Sequence, residues 1–296
     1  PIHVYTDTGY YNVRLHVVSS RGCVDDSVRR LAIIPSIPVF KNDPYSQNFE
    51  SGSVDNASWI PYPIQGGRNS WQLGTPNKNV IIGAASGINA WVTKLDSTYN
   101  SGEKSFLLTP AFDISDLDRP MMRFKYNTDL RFNDGIVVQY NLTGDIDSTW
   151  TVVGYTNDTI DPSPPDYYKW YGINWYDRIN ILTNPGDQKL ETKAVGWSGQ
   201  TGTWVEARIP LDSILKDPLY VNNSPVMFRF AFSSEINPVN PTQPADGFAL
   251  DDFWIGNRTR NVLVEHFTDF DLPNVANVTK DYMNTLLLGG EAKKDM

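Results

Sequence analysis

Along most of this chain, apolar and polar positions alternate with a period of two, the repeat of a strand and not of a helix. In "YYNVRLHVVSS", Val13, Leu15 and Val17 fall on one face, and "SVRRLAIIP" supplies a second strand after a turn. Such a hairpin is too small to be stable alone, and "PSIP" (35–38) follows it as a rigid link. The long middle is a series of short strand-like runs broken by Gly, Pro, Asn and Asp. They include "AWVTKL", "KSFLLTPAF", "MMRFKYNTDL", "GIVVQYNL", "WTVVGY", "TWVEARIPL" and "PVMFRFAFSS". No amphipathic helix interrupts them, and turn signals at this spacing predict an all-β sandwich or barrel. The pattern changes after about residue 258. "NVLVEHFT" reads as a strand, and "NVTKDYMNTLLLGG" has helical spacing at Val278, Tyr282 and Leu286, so the end predicts a short α/β segment. Three segments result: 1–36, 37–258 and 259–296.

The closing strand, "DGFALDDFWIG" (246–256), poses a chemical question. Strict alternation puts Phe248, Leu250, Asp252 and Trp254 on one face, and Ala249, Asp251, Phe253 and Ile255 on the other. Each face then carries one acid among apolar neighbours. A buried carboxylate is paired, hydrogen-bonded or metal-bound, because an unpartnered one is costly. Backbone N–H groups or Arg68, Arg229 and Arg258 are one set of partners; a cation is another.

Composition narrows the function classes. The 296 residues are 40% hydrophobic and 12% aromatic, ample for a core. A net charge of −9 argues against nucleic acid, whose phosphates call for clustered Lys and Arg. The single cysteine, Cys23, excludes an internal disulfide framework. No run of about 18 apolar residues marks a membrane span. The chain opens in mid-strand without a Met or a signal peptide, which is expected of a piece of something longer.

These residues support a comparison with known families. "VYTDTGYYNVRLHVV", Tyr5 to Val17 above all, resembles the C-terminal half of a PKD domain, an extracellular immunoglobulin-like spacer. The middle resembles the MAM-like and cleaved-adhesin jelly-roll modules of secreted Bacteroidota proteins. The matching pieces are "NFESG" (48–52), "NSWQLGTP" (69–76), "SGINAWVTKLDSTYNSGEKSFLLTPAFDIS" (86–115), "DGIVVQYN" (134–141) and "DGFALDDFWI" (246–255). In the MAM relatives the "FE" and "LDD" strands lie close together, often with a cation between them. The resemblance therefore implies a structural Ca²⁺ site made of Glu50, Asp251, Asp252 and a loop oxygen such as that of Asn69. Calcium takes six to eight such oxygens. It also implies export by the type IX system, with a sorting domain beyond Met296. The third segment resembles the opening of a thioredoxin-like domain, but "DFDLPNVAN" lacks the redox cysteines.

Candidate chemistry points away from catalysis. His3, His16 and His266 all lie outside the middle segment, which excludes Ser-His-Asp, Cys-His and His-zinc sites there. There is no phosphate loop and no dinucleotide fingerprint. Glu103, Glu206 and Glu235 remain as carboxylates for glycoside hydrolysis. Binding is better represented: "YYKWYGINWY" (167–176) offers Tyr168, Trp170, Tyr171 and Trp175 to stack on sugar rings or anchor a protein ligand. The alternative is that such aromatics cover the core. Sequons occur at Asn56, Asn141, Asn157, Asn222, Asn257 and Asn277. Triplets resembling the Bacteroidota O-glycosylation signal offer Ser27, Ser97, Ser148, Thr159 and Ser213. The expectation is an extracellular or cell-surface, non-catalytic adhesion module that binds a surface glycan or protein. Its rivals are an accessory domain of a secreted protease or glycosidase and a structural subunit of an outer-membrane or surface assembly, with outer-membrane secretion or surface-assembly proteins as partners.

Overall fold

The expected strands form, and they pair into two packed sheets plus a hairpin. The computed structural model describes residues 3–7, 9–65, 67–147, 149–154, 172–188, 194–220, 224–236 and 245–259. Among these, strands β1 (Gly9–Val18) and β2 (Val24–Ile33) make an antiparallel sheet of their own, in register from Gly9 opposite Ile33 to Val18 opposite Val24. Its apolar stripe is open to solvent, with Leu15 58% and Val17 50% exposed.

The first sandwich sheet runs β11 (Thr151–Val152), β10 (Gly135–Asn141), β13 (Val226–Ser233), β8 (Lys104–Asp113). Strand β8 also pairs with β3 (Ser36–Pro38) and with β5 (Ile60–Gln65). The second runs β12 (Val205–Pro210), β9 (Pro120–Asp129), β14 (Gly247–Asn257), β7 (Ala90–Thr93), β6 (Trp71–Gly74), with β4 (Tyr45–Gln47) also on β14. Alternation decides what faces inward. Phe228, Phe230 and Phe232 of β13, with Ile136 and Val138 of β10, meet Phe124 and Tyr126 of β9 and Phe248 of β14 in one core. Phe124 and Phe230 touch edge to face across it, centroids 5.1 Å apart. This is an all-β sandwich of the jelly-roll class.

The outer faces are covered too. On the first sheet, Phe106, Leu108, Val137, Met227 and Ala231 pack with Ile60, Tyr62 and Ile64 of the neighbouring β5 and with Ile146 and Trp150 from the β10–β11 connection. On the second, Ile81 is fully buried with Ala90, Val92 and Ala249. That second cover is the long connection between β6 and β7.

Strict alternation fails at one place that matters. Asp251 pairs with Lys125 and Trp254 with Arg123, so three steps on β14 match two on β9. The extra residue is a β-bulge, with Asp252 at φ +49°. Beyond it the inward side changes parity. Phe253 and Ile255 join Phe248 and Leu250 in the core, where the uninterrupted pattern put them on opposite faces.

A compact unit spans Pro1–Asn257 and a second begins at Arg258. The expected α/β elements of the last segment lie outside the described residues. Among the described residues no helix is long and apolar enough to cross a membrane.

Candidate functional site

The acids of the closing strand gather around the β6–β7 connection. A loop lying on a sheet face must find acceptors for its backbone N–H groups. Three carboxylates supply them, each taking two consecutive amides. Asp246 Oδ2 accepts from Val80 at 2.5 Å and Ile81 at 3.0 Å. Asp251 Oδ2 accepts from Ala85 and Ser86, both at 2.9 Å. Glu50 Oε1 accepts from Ile88 at 2.8 Å and Asn89 at 2.9 Å. Asp251 Oδ1 takes the amide of Asp252 at 2.7 Å, and Ser86 Oγ donates to Asp252 Oδ1 at 2.6 Å. The cation that answers Asp252 is Lys125, 2.9 Å from Oδ2. Burial pushes the Asp251 carboxyl up to about 6, against the pull of its N–H donors.

Glycine is required where the clamp is tightest. Gly87 has φ +58°, and a Cβ there would sit 2.3 Å from Glu50 Oε1. Lys78 closes the other end, donating to the carbonyls of Thr93 at 2.9 Å and of Asp246. Burial pushes its ammonium down to about 8.

Glu50, Asp251 and Asp252 each meet donors of residues 85–89 of this loop. N–H, O–H and ammonium groups surround an anion; a calcium cage needs oxygens. Among the described residues no three His, Cys, Asp or Glu side chains are grouped to hold a metal ion. Asn69 belongs elsewhere: its Oδ1 accepts from the Trp71 amide, beside a buried network in which Ser70, Ser105 and Asn100 donate to Glu103. The side chains present therefore do not fit the ion.

The clamped loop forms one wall of a cleft of about 450 Å³. Asn79 and Val80 line it from the loop, Asp246 and Asp129 from the strand ends, and Phe132, Arg178 and Gln200 from the opposite side. Phe132 is 70% exposed, and the Arg178 guanidinium lies over its ring at 4.1 Å. Arg178 Nε is buried with no hydrogen-bond partner among the described residues. Asp129 accepts from the Asp246 amide at 2.9 Å and from Gln200 at 3.4 Å, and burial pushes its carboxyl up. Both cleft acids are thus engaged by N–H donors. Sequence reading assigned no role to Asp246, Phe132, Arg178 or Gln200. An aromatic in the polar turn "DLRFNDG" was the one available signal.

The aromatic run fares differently. Tyr168, Trp170 and Tyr171 lie outside the described residues. Trp175 is only 3% exposed, packs on Phe124 and Trp197, and donates to the Val153 carbonyl at 3.2 Å. It is a core residue and presents no face to a ligand. Of the proposed acceptors, Ser27, Ser97 and Ser213 are exposed; Ser148 and Thr159 fall outside the described residues. Glu103 is fully buried and saturated, which removes it as a catalytic acid.

No protein-family model matches the chain, and no curated protein matches it either. Among solved structures, it is similar to the K1 cleaved adhesin domain of Lys-gingipain from Porphyromonas gingivalis W83. That likeness covers 73% of this chain and 99% of that one, at 17% identity and a TM-score of 0.38. It is similar also to the K3 cleaved adhesin domain of the same protein (72% and 98%, 16% identity, TM-score 0.36). A third is the family 30 carbohydrate-binding module of a cellulosomal cellulase of Clostridium thermocellum (77% and 97%, 11% identity, TM-score 0.31).

Proposed function

We propose that this chain is a non-catalytic, extracellular binding module that holds a glycan in the cleft between residues 79–80, 129–132, 178 and 199–200. The observation that carries this reading is the lining of that cleft. An exposed aromatic ring, a guanidinium over it, two amides and two carboxylates line a space of about 450 Å³. Sugars present an apolar C–H face and a rim of hydroxyls, and this lining answers both. Asp129 and Asp246 are held by backbone amides, so neither is poised to give or take a proton at a glycosidic bond. Extracellular placement, type IX export and O-glycosylation at Ser27, Ser97 and Ser213 belong to the same reading, supported by the resemblance to Bacteroidota surface modules.

Binding to an array of bacterial and host glycans tests it. Phe132→Ala and Arg178→Ala are each expected to weaken the strongest signal about tenfold, the size of one lost stacking or charged contact. Binding unaffected by either substitution would sink the assignment.

A protein ligand is favoured by a different observation. Leu182 (69%) and Ile236 (76%) are exposed, and their turns are joined through Asn133, the residue after Phe132, which accepts from Thr183 and donates to Glu235. Capture of a protein by this rim, lost in Leu182→Asp and Ile236→Asp but kept in Arg178→Ala, would favour it.

A further inference from the structure

The covered outer face of the first sheet leaves a second opening, far smaller than the end cleft and sharing no residue with it. It is a slot of about 180 Å³. Its floor is Phe106 of β8 and Arg229 of β13. One wall is Tyr62 and Ile64 of β5, and the other is Ile146 and Trp150 from the connection between β10 and β11. Asp147 and Asp187 complete the lining. Tyr62 and Trp150 are half-buried and offer ring surface to the slot, while Phe106, 3% exposed, lies beneath them as its floor. Tyr62 and Phe106 are 5.4 Å apart at 36°, and Phe106 and Trp150 are 6.5 Å apart at 37°.

The floor is built, not incidental. Arg229 stands directly opposite Gln139 in the sheet, and its Nε donates to Gln139 Oε1 at 2.8 Å. Its guanidinium lies 4.3 Å from the Trp150 ring and 5.0 Å from Phe106, which fixes both rings. Gln139 in turn donates to the Gly186 carbonyl, and Lys104 pairs with Asp187.

We propose that this slot is a second ligand site, one that takes a single neutral pyranose ring. The lining selects by elimination. A purely apolar ligand would strip water from Asp147 and Asp187 without replacing it. The two carboxylates and the two cations, Arg229 and Lys104, balance, so the lining favours neither an anion nor a cation. A neutral polyol with one C–H face packs against Tyr62 and Trp150 and gives its hydroxyls to the carboxylates. The volume, below that of pockets for larger ligands, admits one ring, such as the end of a chain or a branch. This site stands independently of the end cleft, and a glycan reaching both would gain from their joint occupancy.

Saturation-transfer NMR on the full chain, with methyl glycosides of the common neutral hexoses and pentoses as probes, tests the proposal. Tetramethylammonium and benzoate serve as the cation and anion. The expected result is saturation of the ring C–H protons of at least one glycoside, and of neither ion. The dissociation constant should rise at least tenfold in Trp150→Ala, less in Trp150→Phe, and be unchanged in Phe132→Ala. Asp147→Ala, which leaves the rings in place, should also weaken binding, so the test survives if Trp150→Ala does not fold. Silence from every glycoside would overturn the proposal. So would transfer abolished by Phe132→Ala and kept in Trp150→Ala, which places the sugar in the end cleft alone. Preferential binding of tetramethylammonium would instead make the slot a cation cage.

Discussion

At the scale of single residues, the carboxylate clamp depends on Gly87. Two penalties coincide there: a left-handed φ of +58° and a Cβ position 2.3 Å from Glu50 Oε1. An alanine must displace Glu50 from the amides of Ile88 and Asn89 or bend the loop. Gly87→Ala is therefore expected to destabilise by about 1–3 kcal/mol, read as a lower denaturant midpoint. Gly83 is the control: it lies in the same loop, and nothing stands within 4 Å of its Cβ position. Equal effects of the two substitutions would refute the account. The sequence makes it evident that Glu50, Asp251 and Asp252 need partners. It does not reveal which: those of Glu50 and Asp251 are backbone amides, which every residue but proline carries, and those of Asp252 are one serine and one lysine among many. Side chains that look alike in a sequence, such as Asn69 and Asp246, are separated only by which loop they reach.

Among the elements, strands were legible and covers were not. Each strand-like run of the middle segment becomes a strand because alternation is a local property. The loop on the second sheet, by contrast, is fixed by Ile81 and by acids far away in sequence, Glu50, Asp246 and Asp251. The bulge at Asp252 was invisible for a related reason. One added residue keeps the composition of the strand and inverts the facing of all that follows. Alternation already puts Asp251 with Ala249 on the loop side, and the inversion returns Phe253 to the core. The clamp also predicts the response to calcium. An ion at Asp252 would have to displace Lys125 and the Ser86 hydroxyl, and Asp251 already accepts three N–H groups. The unfolding midpoint is thus expected to be the same in EGTA and in millimolar Ca²⁺. A rise with calcium, lost in Glu50→Gln, would mean that the clamp rearranges around the ion.

For the molecule as a whole, the buried acids set how stability varies with pH. Burial raises the carboxyls of Asp129, Asp134 and Asp177 above their usual range, and that of Asp251 to about 6. In the unfolded chain such a group titrates at 3.8. Between that value and about 6, the folded protein holds protons that the unfolded chain has released. Stability must therefore fall as pH rises through this window, and level off above it. The net charge of −9 at pH 7 adds self-repulsion in the same direction. Lys78 works elsewhere: its folded value of about 8 lies below 10.5, so its contribution rises only between those values, on the alkaline side. The expected Tm is higher at pH 5 than at pH 7. Asp251→Asn should lower Tm at both, because an amide cannot accept on both sides, and should flatten the slope by removing one of the four titrations. A Tm that climbs from pH 5 to pH 7 would mean that the clamp's N–H donors outweigh burial and hold Asp251 ionised. The loop that walls the cleft would then be held most firmly at neutral pH, and ligand affinity should rise with pH in parallel.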